Sequence, residues 1–245
     1  MSTHMMLEDT RIARARELLK GPLRPDRTPE RTLGRTPDRT LVKLCGLHRP
    51  EDVIAANEAA PDLVGFVIDF PRSHRNVPVT QLLPLATRID SAIIRVGVFV
   101  DEDPGLVAAL VADNAIDVCQ LHGREDEYYI SRLHAELDVA GVPDAPILQA
   151  FRVRTQADVL RAESSCADAI LLDNGQGTGK RFDWSLVAHA RSPFVLAGGL
   201  NPDNVAEAIA ATRPLAVDMS SGVETDGKKD ADKMRAAVAA VRSAR

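Results

Sequence analysis

The stretch AIIRVGVFVDEDPGLVAALVADN, Ala92 to Asn114, contains the pattern that decides the fold. Its first part, AIIRVGVFV, is an almost unbroken apolar run rich in Val and Ile, the signature of a strand buried on both faces. A polar turn follows, and then PGLVAALVADN carries its apolar residues at helical spacing. The same alternation holds from Leu41 to the end. Further strand candidates are LVKLCGL from Leu41, LVGFVID from Leu63, DVCQLHG from Asp117 and ILQAFRV from Ile147. AILLD from Ala169, FVLAGG from Phe194 and AVDMSSG from Ala216 complete the set. Between them lie helical segments such as PEDVIAANEAA, NPDNVAEAIAA and KKDADKMRAAVAAVRSAR. Eight strand–helix pairs in about 204 residues predict an α/β fold of the (β/α)8 TIM-barrel type over residues 41–245, at the small end of its size range. The competing doubly wound sheet needs a glycine fingerprint after its first strand. CGLHRPED stands there instead.

Residues 1–40 read differently and are expected to form an irregular N-terminal extension. GPLRPDRTPERTLGRTPDRT, Gly21 to Thr40, repeats an Arg-Thr-Pro phrase, and its prolines predict an extended linker. Ahead of it, Leu7 to Lys20 sets Leu7, Ile12, Ala15, Leu18 and Leu19 roughly on one helical face. Residues 1–41 carry nine Lys/Arg against six Asp/Glu, so the formal charge of −5 divides into +3 there and −8 in the remainder. A solvated tail is the plainer reading, and an adaptor that joins or docks another domain is the sharper one. Neither that charge nor the 4% aromatic content favours nucleic acid as a partner. No apolar run is long enough for a membrane span, and no signal-peptide core is present. Cys45, Cys119 and Cys166 are odd in number and far apart, which suits a reducing, cytoplasmic setting.

Barrel active sites form where strands end, and the strand ends here are polar. Cys45, Asp69, Asp101, Gln120, His122, Arg152, Asp173, Gly198-Gly199 and Asp218 all fall at such positions. Carboxylates there are costly unless paired or open to a solvated site, so the pattern favours a functional mouth with some structural caps. The Gly175–Lys180 phrase GQGTGK fails the phosphate-loop spacing, because Asn174 stands where the first glycine belongs and Arg181 follows Lys180. AGGLNPDNV after strand 7 and DMSSGVET after strand 8 are more specific. They offer backbone N–H groups and hydroxyls at the fold's recurrent phosphate site, which predicts a phosphorylated small-molecule substrate. Arg75 is either a solvated loop arginine or a carboxylate clamp. Cys119 and Cys166 read as small buried residues, whereas Cys45 is followed by Gly46 at the mouth. His122 and His134 make no metal set, and neither metal nor cofactor is expected.

Several phrases together resemble the phosphoribosylanthranilate isomerases of tryptophan biosynthesis. They are VKLCG (Val42–Gly46), Gly65-Phe66 with Ser73-His74-Arg75, VGVFVDE (Val96–Glu102) and VCQLHGRED (Val118–Asp126). ILLDNGQGTGKRFDW (Ile170–Trp184), VLAGGLNPDNV (Val195–Val205) and VDMSSGVET with DGKKD (Val217–Asp230) continue in the family's order. The phrase from Leu172 is similar to the isomerase half of fused synthase–isomerase enzymes. In that light residues 1–40 are a linker remnant or a contact for a tryptophan-pathway partner.

The resemblance implies an Amadori rearrangement of N-(5-phosphoribosyl)anthranilate to 1-(2-carboxyphenylamino)-1-deoxyribulose 5-phosphate. It implies Asp173 as the acid that opens the ring and Cys45 as the base at C2. It also implies Arg75 on the anthranilate carboxylate and Asp218 on the ribose hydroxyls. The phosphate falls to Gly198, Gly199, Ser220, Ser221 and the Gly177-Thr178-Gly179 loop. Acid–base catalysis works best near neutral pKa, so Cys45 is expected to ionise more readily than usual beside a positive charge, and Asp173 to hold its proton longer through desolvation. One departure is Ser73-His74-Arg75 where the family usually has Ser-Pro-Arg, which predicts a looser loop under Arg75. The histidine-pathway barrel isomerase is the nearest rival, but it places aspartate at the strand 1 end, and the acidic VDEDPG after strand 3 would repel its second phosphate. A non-catalytic phosphate-binding barrel is the rival of another class.

Overall fold

The structure is a computed structural model that describes residues 3–19, 39–173 and 183–244. Among these, eight parallel strands close on themselves. They are β1 (Leu41–Cys45), β2 (Leu63–Ile68), β3 (Ile94–Phe99), β4 (Val118–Leu121), β5 (Ile147–Arg152), β6 (Ala169–Asp173), β7 (Phe194–Ala197) and β8 (Ala216–Met219). Each pairs with its neighbours in sequence, and β1 pairs with both β2 and β8, so the barrel has no open edge. Helix α1 (Thr3–Leu19) precedes the barrel. The crossovers carry α2 (Pro50–Ala59), α3 (Val79–Ala86), α4 (Pro104–Ala112), α5 (Glu127–Val139), α6 (Gln156–Glu163), α7 (Val205–Thr212) and α8 (Ala231–Ser243).

Local chemistry explains the element ends. Asp103 caps α4 by accepting from the Gly105 and Leu106 amides at 2.9 and 3.3 Å, and Pro104 fills the first helical position, where a missing donor costs nothing. Asp230 caps α8 in the same way through the Asp232 and Lys233 amides. The sixth crossover departs from the expected eight helices. Its described part holds only a 3-10 turn, Trp184–Leu186, with Asp183 capping Ser185 at 3.1 Å. Pro193, one residue before β7, disfavours helix at that end.

The barrel separates two apolar layers by the two-residue period of its strands. Val42, Leu44, Val64, Phe66, Phe99 and Leu172 pack outward beneath the helices. Leu41, Leu63, Ile94, Val118, Leu148, Ala169, Val195 and Ala216 fill the interior at the strand starts. By the same period Lys43 and Cys45 follow Leu41 to the interior, Asp173 follows Leu171, and Asp218 follows Ala216. The interior is therefore apolar at one end and polar at the other.

Helix α1 closes the apolar end. Ala15 and Leu19 are 0% and 2% exposed among the strand starts, with Leu18 packed beside them and Ile12 at the outer layer. Arg14 Nη1 donates to the Ala92 carbonyl at 2.7 Å, and Arg16 pairs with Asp144. The helix begins four residues before the span expected from its apolar face and ends one residue short of it, and Ala15 and Leu19 on that face are covered by the barrel rather than by solvent. No described helix is long and apolar enough to cross a membrane.

Candidate active site

Cys45 ends β1 and is 8% exposed. Gly46 turns the chain at φ +82°, and a side chain there would overlap the stem of Arg75. Beside Cys45 in the barrel wall stands Gly65, its register partner on β2. Lys43, two residues earlier and 1% exposed, donates from Nζ to Asp218 Oδ2 at 3.0 Å across the β1–β8 pairing. Burial works against the Lys43 charge, but Asp218 and Cys45 outweigh it and hold the ammonium above its ordinary pKa. For Cys45, burial dominates and pushes the thiol up, against the pull of Lys43 and Lys229. This corrects the expectation of an easily formed thiolate. The expected positive charge is present, but in the closed interior desolvation exceeds it.

Asp173 ends β6, three strands round the barrel from β1. Its side chain is 22% exposed, and His122 Nε2 lies 3.9 Å from its Oδ2. His122 in turn meets the Gln120 amide nitrogen at 3.1 Å through Nδ1. Two of the other strand-end carboxylates serve their loops instead. Asp69 accepts from the Val79 amide at the start of α3, and Asp101 accepts from the amide and guanidinium of Arg124. Both occupy left-handed backbone, at φ 45° and 55°, a conformation Asp tolerates through its short polar side chain. Arg152 is exposed. Cys119 is buried and its thiol is pushed up to about 12, as suits an inert core residue, whereas Cys166 is exposed, contrary to its reading as a small buried residue.

Arg75 is not a free loop arginine. Its Nε and Nη2 donate to the two oxygens of Glu224, each at 2.7 Å. Lys229 Nζ donates to the same carboxylate at 2.6 Å and to the Ser220 carbonyl at 3.0 Å. Burial opposes the Glu224 charge, but these two cations overcome it and hold the carboxyl down at about 2. The loop that lacks the family's proline is thus fixed from the opposite side, and the exposed His74 ring sits 3.9 Å from Glu224. Because Glu224 takes the Nε/Nη2 edge of the guanidinium, the Nη1 edge is left for a second carboxylate.

The loops after β7 and β8 meet. A side chain on Gly222 would overlap the Leu200 carbonyl, so glycine permits this contact. Gly198 and Gly199 lie at φ 95° and 67°, and Ser220 Oγ donates to the Cys45 carbonyl at 3.0 Å. Ser221 opens the 3-10 turn Ser221–Val223. Gly177, Thr178 and Gly179 lie outside the described residues. Lys43, Glu224 and Lys229 are the site residues that motif reading passed over, although each lies within a quoted phrase. A lysine inside an apolar strand, in phase with Cys45, was the available signal.

Residues 42–240 match the family model described as N-(5'phosphoribosyl)anthranilate (PRA) isomerase. The chain belongs to this family. It is 41% identical over 207 residues to the N-(5'-phosphoribosyl)anthranilate isomerase of Endomicrobium trichonymphae, covering 82% of this chain and 98% of that protein. The phosphoribosyl anthranilate isomerase of Thermotoga maritima superposes with a TM-score of 0.70 at 33% identity, over 83% of this chain and 98% of that one. A second family structure, with a TM-score of 0.67 at 32% identity over the same shares, is a complex with reduced 1-(o-carboxyphenylamino)-1-deoxyribulose 5-phosphate. The chain is thus a (β/α)8 barrel of an isomerase family of tryptophan biosynthesis.

Proposed function

We propose that the polar end of the barrel rearranges N-(5'-phosphoribosyl)anthranilate with Asp173 as acid and Cys45 as base. The observation that carries this reading is the placement of both residues on inward phases at strand ends in a chain of this family. Asp173 gives a proton to the furanose oxygen, the C1–O bond breaks, and the nitrogen lone pair forms a C1=N iminium. The thiolate of Cys45 then takes the proton from C2, the C–H electron pair becomes C1=C2, and nitrogen recovers its pair. Proton return to C1 and loss of the C2 hydroxyl proton give the aminoketose. Each proton transfer by a positioned group contributes typically 10²–10⁴-fold.

The remaining expectations fit around this pair. Arg75 would hold the anthranilate carboxylate on its open edge, with Glu224 aiming it. Among the described residues Asp218 Oδ1 has no hydrogen-bond partner, which makes it an acceptor suited to a ribose hydroxyl. Gly198, Gly199, Ser220 and Ser221 would hold the phosphate where the last two loops meet, with Gly177-Thr178-Gly179 as a third contributor. Residues 41–245 form the catalytic unit in this reading and 1–40 an extension, with a pathway partner as its further use and no nucleic acid or membrane involved. The three free thiols support a reducing, cytoplasmic setting.

The test is complementation of a tryptophan auxotroph lacking the isomerase. Wild type should restore growth, and neither Asp173→Asn nor Cys45→Ala should. Absence of rescue by folded wild type would refute the isomerase assignment, and rescue by either variant its assigned role.

A further inference from the structure

We infer that Lys43 is a positioning residue for the base: its buried ammonium stands beside Cys45 so that the thiolate forms and stays in place at the barrel mouth. The inference rests on the reading of Cys45 as the base. Lys43 and Cys45 occupy successive inward positions of β1, and the Lys43 side chain is 1% exposed. A buried ion pair seldom stabilises a fold more than apolar residues of the same volume would. Methionine could fill this space, so a lysine there is explained better by what its charge does.

The surroundings are arranged for a third member beside the Lys43–Asp218 pair. Asp218 Oδ2 takes one of the three Nζ protons at 3.0 Å. On β2, a Cβ added to Gly65 would lie 2.7 Å from Cys45 Sγ and 3.2 Å from Lys43 Nζ. The thiol and the ammonium thus flank the same glycine-lined slot, and any side chain at residue 65 would wedge into it. The ammonium acts on the thiol through its charge, favouring the ionised form.

Other charged groups around Cys45 are accounted for differently. Asp218 faces it from β8 and opposes ionisation. Lys229, beyond β8, favours ionisation but is committed to Glu224 and Ser220. Arg75, from the loop after β2, interacts with Cys45, but its Nε and Nη2 are committed to Glu224. Lys43 therefore supplies the principal local cation. During proton abstraction the C2 proton passes to Sγ and its electron pair stays with the substrate, while Lys43 remains an ammonium throughout.

The experiment uses the full chain with Cys166→Ser, which removes the exposed thiol. Iodoacetamide alkylation of Cys45, followed by peptide mass, is measured against pH with and without Lys43→Met, alongside isomerase turnover. An opposite charge within a few ångströms shifts a pKa by about one to three units, so the alkylation profile should move up by about that much. At neutral pH, kcat should fall at least about tenfold through the smaller thiolate fraction. Superimposable alkylation profiles would overturn the inference. A parent protein without turnover would refute the isomerase reading instead, leaving the alkylation shift to decide Lys43 alone. Should Lys43→Met not fold, Lys43→Gln, which keeps a donor for Asp218 without the charge, carries the same measurement.

Discussion

Replacing Glu224 by Gln should remove a specific, acid-sensitive part of the stability. The carboxylate side chain is 6% exposed and bound by both Arg75 and Lys229, and its pKa is about 2 against an ordinary 4.5. Because the folded-state value is the lower one, the stabilisation is complete above pH 4.5 and is lost as pH falls towards 2. At ~1.4 kcal/mol per pH unit the difference corresponds to about 3 kcal/mol at neutral pH, of which about 2 kcal/mol disappears by pH 3. Breaking a buried pair by removing one partner costs about 3–5 kcal/mol, a comparable magnitude. Urea unfolding of wild type and Glu224→Gln at pH 7, 4 and 3 gives the free-energy gap directly. That gap should shrink by about 2 kcal/mol between pH 7 and 3, with most of the change below pH 4. A gap independent of pH would refute the ion-pair network, because a merely steric loss does not titrate.

Leu19→Ala should cost about 2–5 kcal/mol and lower Tm by several degrees while leaving kcat unchanged, since Leu19 is 2% exposed at the end of the barrel opposite the site. Thermal melting with steady-state kinetics separates the two effects, and an unaltered Tm would show that α1 does not seal the barrel. Arg75→Ala should raise KM for the anthranilate substrate by about 10–100-fold through loss of charged hydrogen bonds, with an unchanged KM assigning the carboxylate to another group. Gly222→Ala should separate the loops after β7 and β8, because the new methyl would overlap the Leu200 carbonyl. Weaker competitive inhibition by inorganic phosphate would register this, and an unchanged Ki would place the phosphate elsewhere.

The legible parts of the molecule are those governed by nearest neighbours along the chain. Asp103 before Pro104 marks a helix start wherever that helix goes. Cys45 and Asp173 could be placed at strand ends because each follows an apolar run. In the sixth crossover the described residues hold a 3-10 turn rather than the expected helix, because Pro193 acts against a pattern that is otherwise regular. Asp69 and Asp101 stood at strand ends as plainly as Asp173 did, but their work is to hold loops in left-handed backbone. Residue type and position did not separate those two roles.

By itself the sequence determined the eight strands, most of their helices, the polar end of the barrel and the family, because periodicity and motif order are properties of contiguous residues. Only closure of the barrel decided how charges are shared. Lys43 meets Asp218 across 175 positions of chain, and Arg75 meets Glu224 across 149. Closure also decided that the Cys45 thiol is pushed up, since burial depends on neighbours from other strands. The same holds for α1, whose Ala15 and Leu19 had an apolar face in sequence but acquired a partner when the strand starts came together beneath them. An ion pair or a desolvated thiol depends on distance in space, which the spacing of residues along a chain does not contain.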